Sequence, residues 1–251
     1  TKHSVIGGGN FVFMAGPDSI ESPEHVKEMG EDVKQAGATI LRGGAFKPRT
    51  SPYSFQGNGE EGLKAHRAAA DALGMDMVTE ILDTRDVDLV DSYTDIFQVG
   101  TRNMQNFALL KALGKKNKPV VLKRGMSATI DDLLNAAEYI AAGGNDQIIL
   151  MERGIRTYDN KYTRNTLDVS AIPVLQSLTH YPVVADASHA AGVSKFVEPL
   201  ALAAIAAGAQ GLMTEIHDDP SHAFVDGAQA LTPAQFKQLT EKANKVREAI
   251  K

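Results

Sequence analysis

The stretch PVVLKRGMSATIDDLLNAAEYIAAGGNDQIILMERG, residues 119–154, contains the unit from which the fold is read. Pro119–Lys123 is short, strongly apolar and rich in branched side chains, the composition of a strand buried on both faces. Thr129 opens a helical pattern with two acidic residues close behind it, and Gly143-Gly144 stops that pattern after Ala142. Gln147–Met151 is a second buried strand of the same kind. Strand, helix and strand in this order imply a parallel sheet.

The same alternation extends to both ends of the chain. Further strands are expected at Phe11–Ala15, Thr39–Arg42, Met75–Thr79, Ile96–Val99, Val183–Asp186 and Gly211–Glu215. Between them lie helical patterns such as Ser22–Ala36, where Ser22 is a candidate N-cap, Pro23 takes the first helical position and Gly37 follows the end. Val197–Ala207 ends at Gly208, and Pro233–Ile250 closes the chain. Eight strands with intervening helices suit closure, and 251 residues is the usual length of one such barrel. The expectation is an α/β protein, a single (β/α)8 (TIM) barrel domain over residues 1–251, with Thr1–Asn10 as a short N-terminal extension or hairpin over the floor. An open doubly wound sheet is the rival, disfavoured because no Gly-rich dinucleotide fingerprint follows the first strand.

Composition narrows the function classes. The longest candidate membrane segment, Pro199–Ala207, is alanine-rich and too short to span a bilayer. Thr1–Gly9 lacks the basic-then-apolar layout of a secretion signal. The chain has no cysteine, which removes disulfides and thiolate chemistry and suits the cytoplasm. A net charge of −5 argues against a nucleic-acid partner.

In this fold, chemistry sits on the loops that follow the strands. Nine basic residues lie in those loops: Arg42, Lys47, Arg49, Arg102, Lys123, Arg124, Arg153, Arg156 and Arg164. Converging Arg and Lys side chains fit phosphate and carboxylate ligands. The plainer alternative makes some of them solvated loop charges or partners of Glu80, Asp83 and Glu152. Lys123 ends an apolar strand and is expected to point into the mouth, where desolvation and neighbouring cations favour loss of its proton; a salt-bridged strand-end lysine is the alternative. Asp18, His189, Glu215 and Asp226 follow strands one, seven and eight, which are neighbours in a closed barrel. One imidazole with three carboxylates is a hard donor set, suited to Mn²⁺, Mg²⁺ or Fe²⁺. His217, His222 and His180 are competing candidates, while His3, His25 and His66 read as surface residues.

Taken together, AGPDSIES, RGGAFKPRTSPYSFQG, GTRNMQN, LKRGM, RGIRTY, RNTLD and DASHAAG resemble 3-deoxy-D-arabino-heptulosonate 7-phosphate (DAHP) synthases of the compact microbial type, relatives of the 3-deoxy-D-manno-octulosonate 8-phosphate synthases. The resemblance implies condensation of phosphoenolpyruvate with erythrose 4-phosphate at a divalent metal. It implies that Arg102, Lys123 and Arg153 hold phosphoenolpyruvate, with Arg42 and Glu80 lining its pocket. Lys47, Arg49, Thr50 and Ser51 would receive the aldose phosphate, with Arg124 and Arg164 as further anion contacts. His189, Glu215 and Asp226 would bind the metal, and Lys123, or a metal-bound water with His189 nearby, would shuttle the proton. The family motif reads AGPCS, with a metal-ligating cysteine where this chain has Asp18; Asp18 is expected to ligate directly, to act through water, or to mark a weakened site. KPRTS favours the four-carbon acceptor over arabinose 5-phosphate, and a non-catalytic phosphate-ligand sensor is the third reading. Because the barrel uses nearly all of the residues, no separate effector domain is expected. The resemblance also implies a homo-oligomer, commonly a tetramer.

Overall fold

Along each strand, alternate side chains divide two apolar layers, and their closure makes the barrel. The computed structural model describes residues 1–250, so the domain expected over 1–251 reaches one residue, Lys251, beyond the described residues. The strands are β1 (Val12–Gly16), β2 (Ile40–Arg42), β3 (Asp76–Ile81), β4 (Ile96–Val99), β5 (Val120–Lys123), β6 (Ile148–Glu152), β7 (Val183–Asp186) and β8 (Gly211–Glu215). They pair in parallel in chain order, and β8 returns to β1 with Met14 opposite Met213. That closure excludes the open sheet and leaves no strand edge for unwanted pairing. The helices are α1 (Pro23–Gln35), α2 (Gly59–Leu73), α3 (Val87–Tyr93), α4 (Phe107–Leu113), α5 (Ile130–Ala141), α6 (Ala171–Leu178), α7 (Ala187–Ala191), α8 (Ser194–Ala206) and α9 (Pro233–Ala249).

One layer fills the barrel: Val12, Met14, Ile40, Val78, Ile96, Val121, Ile149, Met151, Val184 and Met213 form a closed cluster. The residues between them, among them Phe13, Leu41, Met77, Phe97, Leu122, Leu150 and Leu212, face outward into a second cluster shared with the helices. The helix starts follow the local chemistry. Ser22 accepts the backbone N–H of His25, and capping boxes open α5 at Thr129/Asp132 and α9 at Thr232/Gln235.

The N-terminal extension folds as expected. Gly7 and Asn10 bridge antiparallel, and Ile6 packs onto the interior cluster. Its polar groups satisfy buried Asp76 at the floor of β3, whose carboxylate accepts from Thr1 Oγ1 at 2.6 Å and from the His3 backbone N–H at 3.1 Å. Two strands run further than their apolar letters suggest. The β3 ladder continues through Glu80, opposite Gln98, and that of β6 through Glu152, opposite Ala185. The backbone goes on pairing where the side chains turn charged.

His66 corrects the reading of it as a surface residue. It lies on the inner face of α2 with Gly62, Leu63, Ala69 and Ala70, the three-and-four spacing of a buried stripe, and has no exposed surface. Its Nε2–H donates to Leu41 O at 3.1 Å, and burial depresses its pKa from 6.5 to about 3. Between those values only the unfolded chain binds the proton, so acid favours unfolding and the stabilisation is lost as pH falls below 6.5. Chemical denaturation should therefore show His66 costing the native state about 2 kcal/mol between pH 7 and pH 5. His66→Gln, which cannot titrate, should lack that part of the fall; an identical pH dependence in parent and variant would refute the assignment.

Candidate active site

The inward-facing row that is apolar through the barrel changes character at its upper rim. Continuing each alternation upward from Ile40, Val78, Ile96, Val121, Met151, Val184 and Met213 gives Arg42, Glu80, Gln98, Lys123, Arg153, Asp186 and Glu215. Arg42, Gln98, Lys123, Arg153, Asp186 and Glu215 are all buried. Arg42, Glu80, Gln98, Lys123 and Arg153 border a cavity of about 370 Å³, also lined by Asp18, Lys47, Arg49, Thr50, Ser51, Arg102, Arg164, His189 and Asp226, with Asp186 and Glu215 just behind its wall. Gly100 belongs to the same wall, because a Cβ there would fall 1.9 Å from Glu80 Oε1.

A chain of ion pairs connects the rim. Arg42 Nη2 donates to Asp18 Oδ1 and, at 3.3 Å, to Glu215 Oε1. Lys47 Nζ lies 2.6 Å from Asp18 Oδ2 and donates to Asp18 O at 3.0 Å. His189 Nε2 is 3.0 Å from Glu215 Oε1, its Nδ1 is 2.6 Å from Asp186 Oδ2, and Lys123 Nζ donates to that same oxygen at 2.7 Å. Burial pushes the Asp18 carboxyl up, but Lys47 and Arg42 outweigh it and hold the pKa well below the usual range. Asp186 is lowered in the same way, burial being overcome by His189 and Lys123. The His189 imidazole is raised, because Asp186 and Glu215 together exceed its desolvation.

Three guanidinium nitrogens of this cavity are buried without a protein partner: Nη1 of Arg42, Nη1 of Arg49 and Nε of Arg153. Buried unsatisfied donors are costly, and on cationic groups lining a cavity they are poised to receive anions. The cations form two groups. Arg102, Lys123 and Arg153 belong to the ends of β4, β5 and β6, whereas Lys47, Arg49, Thr50 and Ser51 come from the loop after β2. Between the two, around the seam of β7, β8 and β1, donor atoms of Asp18, His189 and Glu215 all lie within 4.8 Å of one another.

The sequence matches the DAHP synthetase I family over residues 1–251. The chain belongs to the DAHP synthetase I family. It is 50% identical to the phospho-2-dehydro-3-deoxyheptonate aldolase of Thermotoga maritima, over 98% of this chain and 72% of that one. The crystal structure of the Thermotoga maritima enzyme superposes with a TM-score of 0.95, again over 98% of this chain and 72% of that one. More distant relatives include the 2-dehydro-3-deoxyphosphooctonate aldolase of Desulfotalea psychrophila, 32% identical over 98% of this chain and 93% of its own length.

Within this DAHP synthetase barrel, the structure corrects three expectations. Arg124, expected as an anion contact, does not line the cavity, and its guanidinium is taken up by Glu152 at 3.0 Å, Asp168 at 2.8 Å and Ala128 O at 3.0 Å. Asp226 reaches the cavity but stands outside the close donor group, paired instead with Arg164 at 3.3 Å. Its φ of 53° makes it the one non-glycine in the left-handed region among the described residues, a strained conformation at the rim. Lys123 meets the Asp186 carboxylate rather than a surround of cations. Asp186 itself was not picked out from the sequence, although its period-two position after Val184 marks it as inward-facing. Gln229, which donates to Glu215 Oε2 at 2.6 Å from the loop before α9, carried no such signal.

Arg124 should behave as a structural cation. Its loss leaves buried Glu152, a carboxyl already raised by burial, without its main counter-charge. Arg124→Met should lower the unfolding free energy by roughly 3–5 kcal/mol, the cost of breaking a buried pair from one side. An unchanged denaturation midpoint would return Arg124 to the ligand contacts.

Proposed function

We propose that the barrel mouth condenses phosphoenolpyruvate with erythrose 4-phosphate to give DAHP and inorganic phosphate, with a divalent metal at Asp18, His189 and Glu215. The observation that carries this reading is the pair of cationic groups, each with a buried unpartnered guanidinium nitrogen, on either side of one metal-competent triad. Two anionic substrates must meet there with their reacting carbons between the charges. Arg102, Lys123 and Arg153 would hold the phosphate and carboxylate of phosphoenolpyruvate, with Arg42 and Glu80 at its edge. Lys47, Arg49, Thr50 and Ser51 would hold the aldose phosphate, and Arg164 would add charge at the rim.

The triad fits a hard divalent ion. Nδ1 of His189 is held by Asp186, which directs Nε2 toward Glu215 and the metal position, a familiar way of orienting a ligand imidazole. Asp18 is engaged by Arg42 and Lys47, yet a carboxylate has about four lone-pair sites and can still ligate. Asp226 stands outside this close group beside Arg164 and would join only by moving inward. Mn²⁺, Mg²⁺ or Fe²⁺ suits this oxygen-rich set, and when bound it supplies Lewis acidity toward the aldehyde oxygen.

Carbon 3 of the enol phosphate attacks the aldehyde carbon, and water adds at carbon 2. The hemiketal phosphate then expels inorganic phosphate and leaves the ketone. The former aldehyde oxygen gains one of the attacking water's two protons, and the other leaves with the phosphate as the ketone forms. Lys123 Nζ would move these protons, while Asp186, bonded to both Lys123 and His189, holds the lysine beside the ligand imidazole. Arg153 and Arg102 keep the phosphate in register while charge develops at carbon 2. The chain would act as one catalytic domain in the cytoplasm, as a homo-oligomer and commonly a tetramer; no described helix is long and apolar enough to cross a membrane.

Acceptor choice is the first test. Erythrose 4-phosphate should turn over far faster than arabinose 5-phosphate, and Arg49→Ala should raise the KM for the aldose phosphate at least tenfold with little change for phosphoenolpyruvate. Preference for the pentose phosphate would assign the chain to the octulosonate reaction instead. Metal removal is the second. Exhaustive chelation should abolish turnover, Mn²⁺ or Mg²⁺ should restore it at least as well as Zn²⁺, and full activity in the metal-free protein would refute the triad.

A further inference from the structure

We propose that the barrel carries a second, structural metal site at Glu21, His25 and His217, selective for a borderline transition ion such as Zn²⁺, Co²⁺ or Ni²⁺. Donor atoms of these three side chains lie within 4.8 Å of one another, apart from the triad at the mouth. Their side chains are 14%, 13% and 8% exposed, so the cluster is largely withdrawn from water.

The protonation pattern points to ligation. Asp218 Oδ1 can only accept, so at 3.0 Å it takes the Nε2–H of His25. That leaves the lone pair of His25 on Nδ1, an atom that is buried and has no hydrogen-bond partner. His217 stacks beside it, ring centroids 4.6 Å apart, with Nε2 3.3 Å from Glu21 Oε1. The Asp219 N–H donates to His217 Nδ1 at 3.0 Å, which puts the ring proton on Nε2 toward Glu21. Ligation through Nε2 would move that proton to Nδ1, giving up the Asp219 N–H hydrogen bond for one donated to Asp218 Oδ1, now 3.2 Å away. One carboxylate would thus orient both imidazoles. Two imidazoles and one carboxylate form a softer set than the triad at the mouth. They match the three-protein-ligand zinc arrangement, with water completing the tetrahedron.

Position gives the site its role. Glu21 follows β1 a few residues after Asp18, His25 is in the first turn of α1, and His217 follows β8. Glu21 and His217 are 196 positions apart in the chain, so an ion here would clip together the two loops at the seam where the first and last strands meet. Glu21 Oε1 also accepts from Phe224 N–H at 2.8 Å, next to Val225 and Asp226 in the cavity wall. The clip would therefore steady the loop that borders the mouth without touching a reacting atom.

The test is zinc stoichiometry and thermal stability of the chelated full chain, its His25→Gln and Glu21→Gln variants, and Asp18→Ala. Parent protein should bind one more equivalent of zinc than either seam variant. Zinc should raise the melting midpoint of parent and Asp18→Ala by roughly 5 °C, and of the seam variants far less. If His25→Gln fails to fold, Glu21→Gln carries the comparison, since its amide oxygen can still accept from Phe224. Equal zinc content in parent and folded seam variants would overturn the site. Equal content in parent and Asp18→Ala would count against the metal at the mouth and leave the seam comparison intact.

Discussion

The Arg42 guanidinium, shared between Asp18 after β1 and Glu215 at the end of β8, is the contact on which the mouth depends. Three carboxylates, Asp18, Asp186 and Glu215, are buried around this seam, and each would cost several kcal/mol if left unpaired. Arg42, Lys47, Lys123 and His189 answer them, so charges of opposite sign alternate from β2 round to β5. The carboxylates in turn push the Arg42 pKa up although its own burial opposes that. Such a ring couples its members: a change at one pair alters the field felt by the next, and the effects of single substitutions around it will not add.

The ring also explains how an acidic protein presents a basic pocket. The net charge of −5 belongs to the whole chain, and many of its carboxylates lie on exposed helical turns such as Glu24, Glu28 and Glu31 of α1. At the mouth, Asp18, Asp186, Glu215 and Asp226 are taken up by internal pairs, while Arg42, Arg49 and Arg153 keep donors to spare. The field offered to a phosphorylated substrate is set by those unpaired donors, and low-dielectric walls concentrate it.

How much of this was legible follows from which forces are local. PVVLK, QIILM and their counterparts identify all eight strands because a strand buried on both faces must be apolar throughout. The strand ends were misplaced at Glu80 and Glu152, where hydrogen bonding continued past the apolar letters. The charged mouth residues are legible because chemistry in this fold gathers after the strands, and Thr50 and Ser51 through the family motif; all of them but Arg124, Arg156 and Glu215 line the cavity. Arg124 misled because nothing near it in sequence announces Asp168, its partner 44 residues on. Glu215 stands just behind the wall, reaching the mouth through His189 and Arg42. His66 is legible as buried only from its place on the α2 stripe, because a histidine by itself suits the surface equally well.

Ile6 and the Gly7–Asn10 bridge close the floor of the barrel, and the interior above them is solid with side chains. Both substrates and both products must therefore use one doorway. Lys123 and Arg153 sit deep, 3% and 5% exposed, whereas Arg49 is only half-buried and Thr50 and Ser51 lie open at the threshold. With the anions seated as proposed, whatever occupies the outer seat bars the way to the inner one. The architecture then imposes a queue: the enol phosphate arrives first, the aldose follows, and the outer end of the product must clear the threshold before the inner seat can be refilled.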